Sequence, residues 1–219
     1  MEGKNFQTMK MMYQPPALVQ KLFPEFIWHS TTKKILVTFD DGPNPSSTGK
    51  ILETLKEENI QALFFCVGNN LSRYPQLAKL IVAENHLLGN HTYNHTIVTK
   101  LGKDAFAQEI ISTNQEVEAV AGSLPKYFRP PRGRFSFHLA RALKDYTMKN
   151  VMWSLLPYDY KNDLKDVKFA VKNYLTKNAI VVLHDSDKSA PIICDAIKYL
   201  ADEARSNNFQ FGTPEECLS

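Results

Sequence analysis

The chain has 219 residues, 43% of them hydrophobic and 22% charged, with a formal net charge of +3 at pH 7. That length and balance suit one large single-core globular domain and exclude a disordered chain. So small a charge, with no basic stripe interleaved with aromatics, speaks against a nucleic-acid partner.

Residues Met1 to Tyr13 are polar and Met-rich, a composition expected of a loose tail. No segment has the apolar length of a membrane span, and the start lacks the charged-then-apolar order of a signal peptide. The expected location is therefore cytoplasmic or peripheral to a membrane. Ala17 to Trp28 sets Leu18, Val19, Leu22, Phe23, Phe26, Ile27 and Trp28 among Gln20, Lys21 and Glu25. A helix packed on the domain is the expected form, with a weak membrane contact through it as the lesser reading. Residues 1–30 thus form a tail and packing helix, and 31–219 the main domain.

From there apolar runs alternate with helical stretches. Ile35 to Phe39 is a short β-branched strand, followed by a helix from Ser46 to Asn59 capped by Ser46 or Ser47, with Ile51, Leu52 and Leu55 on one face. Ala62 to Val67 is a second strand, Pro75 to Glu84 a helix with Leu77, Leu80 and Ile81 inward, and Leu87 to Asn90 a third strand. Lys103 to Val120 is the longest helix, its inner face marked by Phe106, Ile110, Val117 and Val120. Tyr127 to Arg129 is a brief strand stopped by two prolines, then come helix Phe137 to Asp145, strand Val151 to Ser154 and helix Asp163 to Leu175. Ile180 to Leu183 is a further strand, Ile192 to Arg205 the final long helix, and Phe209 to Phe211 the last strand. Roughly seven β/α repeats predict a parallel sheet covered by helices, closed as a barrel or doubly wound. Cys66 falls inside an apolar run, Cys194 and Cys217 lie far apart, and an odd count without short spacing predicts reduced thiols.

Chemistry concentrates at the C-terminal ends of the predicted strands, where Asp40-Asp41, His91 with His95, Arg129, Asp159 and His184 all fall. Adjacent Asp40 and Asp41 leave a strand in different directions, so one can bind a cation while the other stays free. A carboxylate and two imidazoles are a ligand set for a catalytic metal with an open position. The same set could hold iron in an oxygenase, although oxygen chemistry has no need of the spare acid.

The segments Thr38-Phe39-Asp40-Asp41-Gly42-Pro43 and His91-Thr92-Tyr93-Asn94-His95 resemble the first two signature motifs of the polysaccharide deacetylases, carbohydrate esterase family 4, also known by the NodB homology domain. Phe128-Arg129-Pro130-Pro131-Arg132-Gly133 resembles the third motif. Trp153-Ser154 with Asp159-Tyr160 resembles the fourth in degenerate form, and Val182-Leu183-His184-Asp185 the fifth. They stand in family order and span residues 35–185. The resemblance implies an irregular (β/α)7 barrel over 31–219 as the catalytic domain, and a hydrolase that removes N-acetyl groups from amino sugars. The substrate would be an acetylated chitin- or peptidoglycan-like oligosaccharide or a sugar precursor.

By the same resemblance Asp40 is the general base, and Asp41, His91 and His95 bind a divalent metal, zinc first, with cobalt or nickel as alternatives. Arg129 keeps Asp40 ionised, and His184 is the general acid, oriented by Asp159. The Arg132 backbone N–H stabilises the oxyanion, with Pro131 and Tyr160 lining the substrate pocket. Three positions depart from the family pattern and bear on substrate: Arg132 stands where an aromatic is frequent, Leu156 where an acid is frequent, and Tyr160 where a tryptophan lines the acetate pocket. Trp153 is expected in the core or pocket wall. His29, His86 and His138 are expected to be structural, and Asp185 and Asp187 to lie in a solvated loop. Rival readings are an O-acetyl esterase or non-sugar amidase on the same scaffold, and a non-catalytic carbohydrate-binding protein.

Overall fold

The computed structural model describes residues 12–219 and shows a parallel sheet curled into a barrel with helices around it. Strand β1 (Lys34–Asp41) is central, with β2 (Ala62–Cys66), β3 (Leu87–Asn90), β4 (Tyr127–Phe128) and β5 (Lys149–Asn150) laid successively to one side. On its other side lies β6 (Ile180–His184), and β7 (Gln210–Phe211) pairs with its first residues. A sequential march in one direction followed by a jump to the opposite flank curls the sheet toward itself. Leu155 closes the gap, bridging in parallel to Val181.

Two-residue periodicity sorts the strand side chains. Ile35, Val37 and Phe39 of β1 join Phe64, Val181 and Leu183 in a large core beneath the outer helices. Leu36 points the other way and meets Leu63, Phe65, Tyr127, Val151 and Ile180 inside the curl. Thr38 and Asp40 share the inner face with Leu36, so the barrel axis runs from apolar at the strand starts to polar at their ends.

The outer layer holds α2 (Thr48–Glu58), α3 (Gly68–Arg73), α4 (Pro75–Ala83) and α5 (Lys103–Ala121) on one flank. It continues through α6 (Phe137–Lys144), α7 (Leu164–Tyr174), α8 (Ile193–Ser206) and α9 (Pro214–Leu218). In α4 it is Ala78 and Ile81 that are buried, whereas Leu80 is exposed, so the helix is turned from the predicted Leu77–Leu80–Ile81 face. Helix α3 and α9, the latter started by a Thr213–Glu216 capping box, were not expected from the sequence.

The N-terminal region departs most from expectation. Helix α1 (Ala17–Leu22) stops six residues before Trp28, because Pro24 lacks the N–H needed to continue it. Phe23, Phe26 and Trp28 are still buried, in a satellite aromatic cluster with Met152. The expected tail lies outside the described residues up to residue 11, but Tyr13 is not loose. It is 8% exposed, stacks on Tyr174 at 5.3 Å and contacts Tyr158 and Phe169, while its carbonyl accepts Leu156 N–H.

The strand expected at Val151–Ser154 lies earlier, at Lys149–Asn150. Beyond it the carbonyls of Val151 and Met152 accept from the Arg129 guanidinium, and the backbone makes isolated parallel bridges, Val151 to Ile27 and Leu155 to Val181. Among the described residues the three cysteines are unpaired, with Cys66 buried as expected, and no helix is long and apolar enough to cross a membrane.

The Tyr13 contacts generate a stability test. Tyr13→Ala is expected to cost about 3 kcal/mol, the lower range for emptying a buried aromatic site. Urea unfolding should show a lower midpoint with an unchanged slope; an effect below about 0.5 kcal/mol would mean that this ring is not part of the cooperative core.

Candidate active site

Asp40 ends the inner row of β1, and its register partners are Phe65 on β2 and His184 on β6. Strict alternation would send Asp41 to the outer face. Instead Asp41 has φ +80°, which swings its carboxylate back over the strand ends. Gly42 follows and allows the closest backbone approach in the site, since a Cβ there would lie 2.1 Å from Asp185 Oδ2.

His91 leaves the end of β3 and is almost wholly buried, with Nδ1 2.8 Å from the Arg129 carbonyl. Donation from that nitrogen leaves Nε2 with a free lone pair directed at the carboxylates. His91 Nε2 lies 3.7 Å from Asp41 Oδ1, and His95 Nε2 lies 3.3 Å from the same oxygen. Ligand atoms of Asp41, His91 and His95 all fall within 4.8 Å of one another. Burial is the chief cause lowering both imidazoles below the usual histidine range, so each is a neutral donor at pH 7. Two neutral nitrogens and one carboxylate oxygen, converging at that spacing, fit a divalent cation of the zinc type.

Asp40 lies beside this triad, its Oδ2 3.9 Å from His91 Nε2. Arg129 Nη1 donates to Asp40 Oδ1 at 2.8 Å and to Thr38 Oγ1 at 2.7 Å. Burial alone would raise the Asp40 pKa, but the guanidinium, aided by His91 and His184, holds it below the ordinary value. Arg129 is fully buried and donates further from Nε to the Val151 carbonyl and from Nη2 to the Met152 carbonyl, with its carbon 4.2 Å from the Phe65 ring centroid.

His184 faces the triad from β6. Its Nδ1 is 2.8 Å from Asp159 Oδ1, and its backbone N–H donates to Asp159 Oδ2 at 2.7 Å. Burial disfavours the imidazolium, yet Asp159, with Asp41 and Asp40, overcomes that and raises His184 to about 9. The edge of Tyr160 packs on the imidazole at 4.7 Å between centroids. Burial, reinforced by Tyr158 and Asp159, pushes the Tyr160 phenol up to about 12, so it stays neutral.

Asp40, Asp41, His91, His95, Tyr160 and His184 line a cavity of about 760 Å³ whose other wall includes Arg132, Trp153 and Leu156. Pro131 is buried behind it, and Arg132 follows at φ +57°. The adjacent Gly133 packs so closely that a Cβ would meet Trp153 at 2.4 Å.

Asp185 is not in a solvated loop. It is 1% exposed and accepts from Ser47 Oγ and Thr48 Oγ1, both at 2.6 Å, while its N–H donates to the Asp40 carbonyl. The Ser47 hydroxyl is thereby diverted from capping α2. Asp187 is exposed on the cavity rim. His86 accepts the Ala62 N–H and is lowered to about 4 by burial, a structural histidine; the His138 side chain lies outside the described part. Sequence reasoning missed Asp185, Ser47 and Glu109, whose carboxylate accepts Asn94 N–H at 2.8 Å.

A parallel curled barrel that gathers a buried ionised acid, a protonated histidine and a convergent ligand triad at its strand ends is built as a hydrolase. Residues 29–151 match the family described as polysaccharide deacetylase, and the chain belongs to that family. A peptidoglycan-N-acetylglucosamine deacetylase of Bacillus cereus is 37% identical over 152 residues, covering 68% of this chain and 54% of that protein. The peptidoglycan-N-acetylmuramic acid deacetylase PdaA of Bacillus subtilis is 32% identical over 198 residues, covering 84% of this chain and 75% of that protein. The crystal structure of the Bc1960 peptidoglycan N-acetylglucosamine deacetylase in complex with a naphthalenyl N-oxidanyl-benzamide superposes with a TM-score of 0.84 at 27% identity, covering 88% of this chain and 92% of that one.

Arg129 offers a direct test of the electrostatics. Asp40 sits below its ordinary value, so its pairing stabilises the protein above about pH 4 and fades as pH falls through the depressed native pKa. Arg129→Met strands that carboxylate and is expected to cost about 3–5 kcal/mol near neutral pH. The deficit against wild type should narrow as the solution is acidified through and below about pH 4; a pH-independent deficit in denaturant unfolding would refute the assignment.

Proposed function

We propose that the protein is a metal-dependent deacetylase that removes N-acetyl groups from amino sugars of a peptidoglycan- or chitin-like glycan, releasing acetate and a free amine. The observation that carries this reading is the register match of Asp40 with His184 across β1 and β6, beside the Asp41–His91–His95 triad. It sets a carboxylate and an imidazole, groups suited to accept and to give a proton, on adjacent strands beside one ligand cluster, which supports this reading. The relatives named as peptidoglycan deacetylases support the substrate class.

In this reading Asp40, kept ionised by Arg129, takes a proton from the attacking water as oxygen bonds to the acetyl carbon. Asp41, His91 and His95 hold the divalent cation, zinc or a similar metal. When bound it supplies Lewis acidity, bringing the pKa of water toward about 7 and polarising the carbonyl. The Arg132 N–H faces the developing oxyanion. His184, held protonated by Asp159, gives its proton to nitrogen as the C–N bond breaks, so the product leaves as an amine. Tyr160 and Trp153 wall the acetyl group and sugar, whereas Pro131, expected from the sequence to line the pocket, backs that wall from a buried position. A strongly proton-holding acid suits an amine leaving group, which favours amide over ester substrates. A complete acid–base pair has no purpose in a pure binder.

Acetate release from N-acetylglucosamine oligomers should require metal and stop with chelator; metal-independent release, or none across chitin and peptidoglycan fragments, would overturn the proposal. Asp40→Asn is expected to lower turnover at least a hundredfold with metal retained, whereas Asp41→Ala loses the metal. Equal metal content in the two variants by elemental analysis would contradict the division of roles. The pH profile adds a third check. His184 is competent below its raised pKa of about 9, so kcat/KM should fall as pH rises through that region. Asp159→Asn removes the leading favourable partner and should move this alkaline limb to lower pH; an unmoved limb would assign it to another group.

A further inference from the structure

The loop that carries His91 and His95 is fastened to one face of α5. Glu109, only 9% exposed, reaches from that helix into the loop. Its Oε2 accepts the Asn94 backbone N–H at 2.8 Å, and its Oε1 accepts Asn94 Nδ2 at 2.9 Å and Thr96 Oγ1 at 3.3 Å. One turn further along α5, Asn90 Nδ2 donates to the Ile110 carbonyl and to Asn114 Oδ1, and Asn90 Oδ1 accepts Thr92 N–H. The three donors to Glu109 come from the residues on either side of His95.

His95 itself has φ +55°, as Thr92 has +66°. A histidine in the left-handed region costs on the order of 1–3 kcal/mol and persists only where its surroundings fix it. Its own imidazole is about one-third exposed and rests against the His91 ring at 5.1 Å, so packing holds it only in part. Hydrogen bonds to its neighbours add to that constraint.

We propose that Glu109 is a positioning residue for the metal centre: by clamping Asn94 and Thr96 it holds His95 in the conformation that brings Nε2 to Asp41. The inference rests on the metal-centre reading given above. Its chemistry makes a distinctive demand. Glu109 must offer acceptors to a fixed backbone N–H and to two adjustable groups. Glutamine can keep its oxygen on the Asn94 N–H, because the Asn94 amide can flip and the Thr96 hydroxyl can rotate to accept from the new NH₂ group. Alanine leaves all three donors without their acceptor.

The test measures zinc affinity by competition with a chromophoric chelator. Glu109→Ala is expected to bind zinc at least tenfold more weakly, in the range found when groups supporting a metal ligand are removed. Glu109→Gln should lose less than tenfold. In a double-mutant cycle, Glu109→Ala combined with His95→Ala should bind no more weakly than His95→Ala alone, since the clamp acts only through that imidazole. A merely structural role would lower the thermal midpoint of the metal-free protein while leaving zinc affinity unchanged, and that result overturns the proposal. So does additivity in the cycle. If Glu109→Ala does not fold, Asn94→Ala, which removes one of the three donors, should show a smaller loss of affinity, and an unchanged affinity would count as refutation. Failure of the wild type to take up zinc, cobalt or nickel would instead bring down the metal-centre reading itself.

Discussion

Arg129 heads the described side chains that are fully buried, and a guanidinium taken out of water costs several kcal/mol unless its donors are satisfied. That demand shapes the barrel. Four donations tie the strand-β1 side chains Thr38 and Asp40 to the carbonyls of Val151 and Met152, with Phe65 of β2 beneath the plane. Three separated parts of the sheet are therefore drawn around one cation. The segment after β5 turns these carbonyls to the guanidinium and crosses to β6 through Leu155. The Arg129 carbonyl also fixes the ring of His91, so the same residue acts on both the charge of Asp40 and the orientation of His91.

Side-chain alternation explains why an Asp-Asp pair is useful here, and backbone strain explains how it is used. On an ideal strand only one of two adjacent residues can face the site. Asp40 does so by parity, and Asp41 does so by leaving the β region. Thr92, His95 and Arg132 take left-handed conformations at the same end of the barrel. Each carries a cost of about 1–3 kcal/mol, which a continuous core of β-branched and aromatic residues can offset. Strain at the strand ends and close packing below them are two aspects of one design.

Much of this was legible in the sequence because it is written locally. Short apolar runs gave the long strands, and acidic, imidazole and guanidinium groups clustered just past their ends. Asp41, His91 and His95, picked out by residue type and motif, do converge in space. What escaped was set by distant partners. Asp185 sits in a polar run, His-Asp-Ser-Asp, that looks solvated until Ser47 and Thr48 arrive from more than a hundred residues away. Ser47 looked like a helix cap for the same reason. Glu109 occupies an amphipathic helix where a glutamate is ordinarily a surface residue. Pro24 marks why the apolar run ending at Trp28 is not one helix: Phe23, Phe26 and Trp28 are buried, but beyond Leu22 the chain leaves the helical path.

The fixed spacing of acid and base follows from these contacts. Asp40 and His184 belong to neighbouring strands in register, so their separation is set by the sheet spacing rather than by a loop. Asp185 reinforces that spacing, because its N–H bonds the Asp40 carbonyl while its carboxylate grips the turn after β1. Gly42 is the residue that lets the turn come so close. By contrast Asp159 and Tyr160, which set the proton affinity and shelter of His184, lie in a short turn outside the sheet. So do Arg132 and Leu156, two of the positions that depart from the family pattern. The strand pair thus fixes Asp40 against His184, while the segments beyond the strand ends supply the cavity wall that carries Arg132, Leu156 and Tyr160.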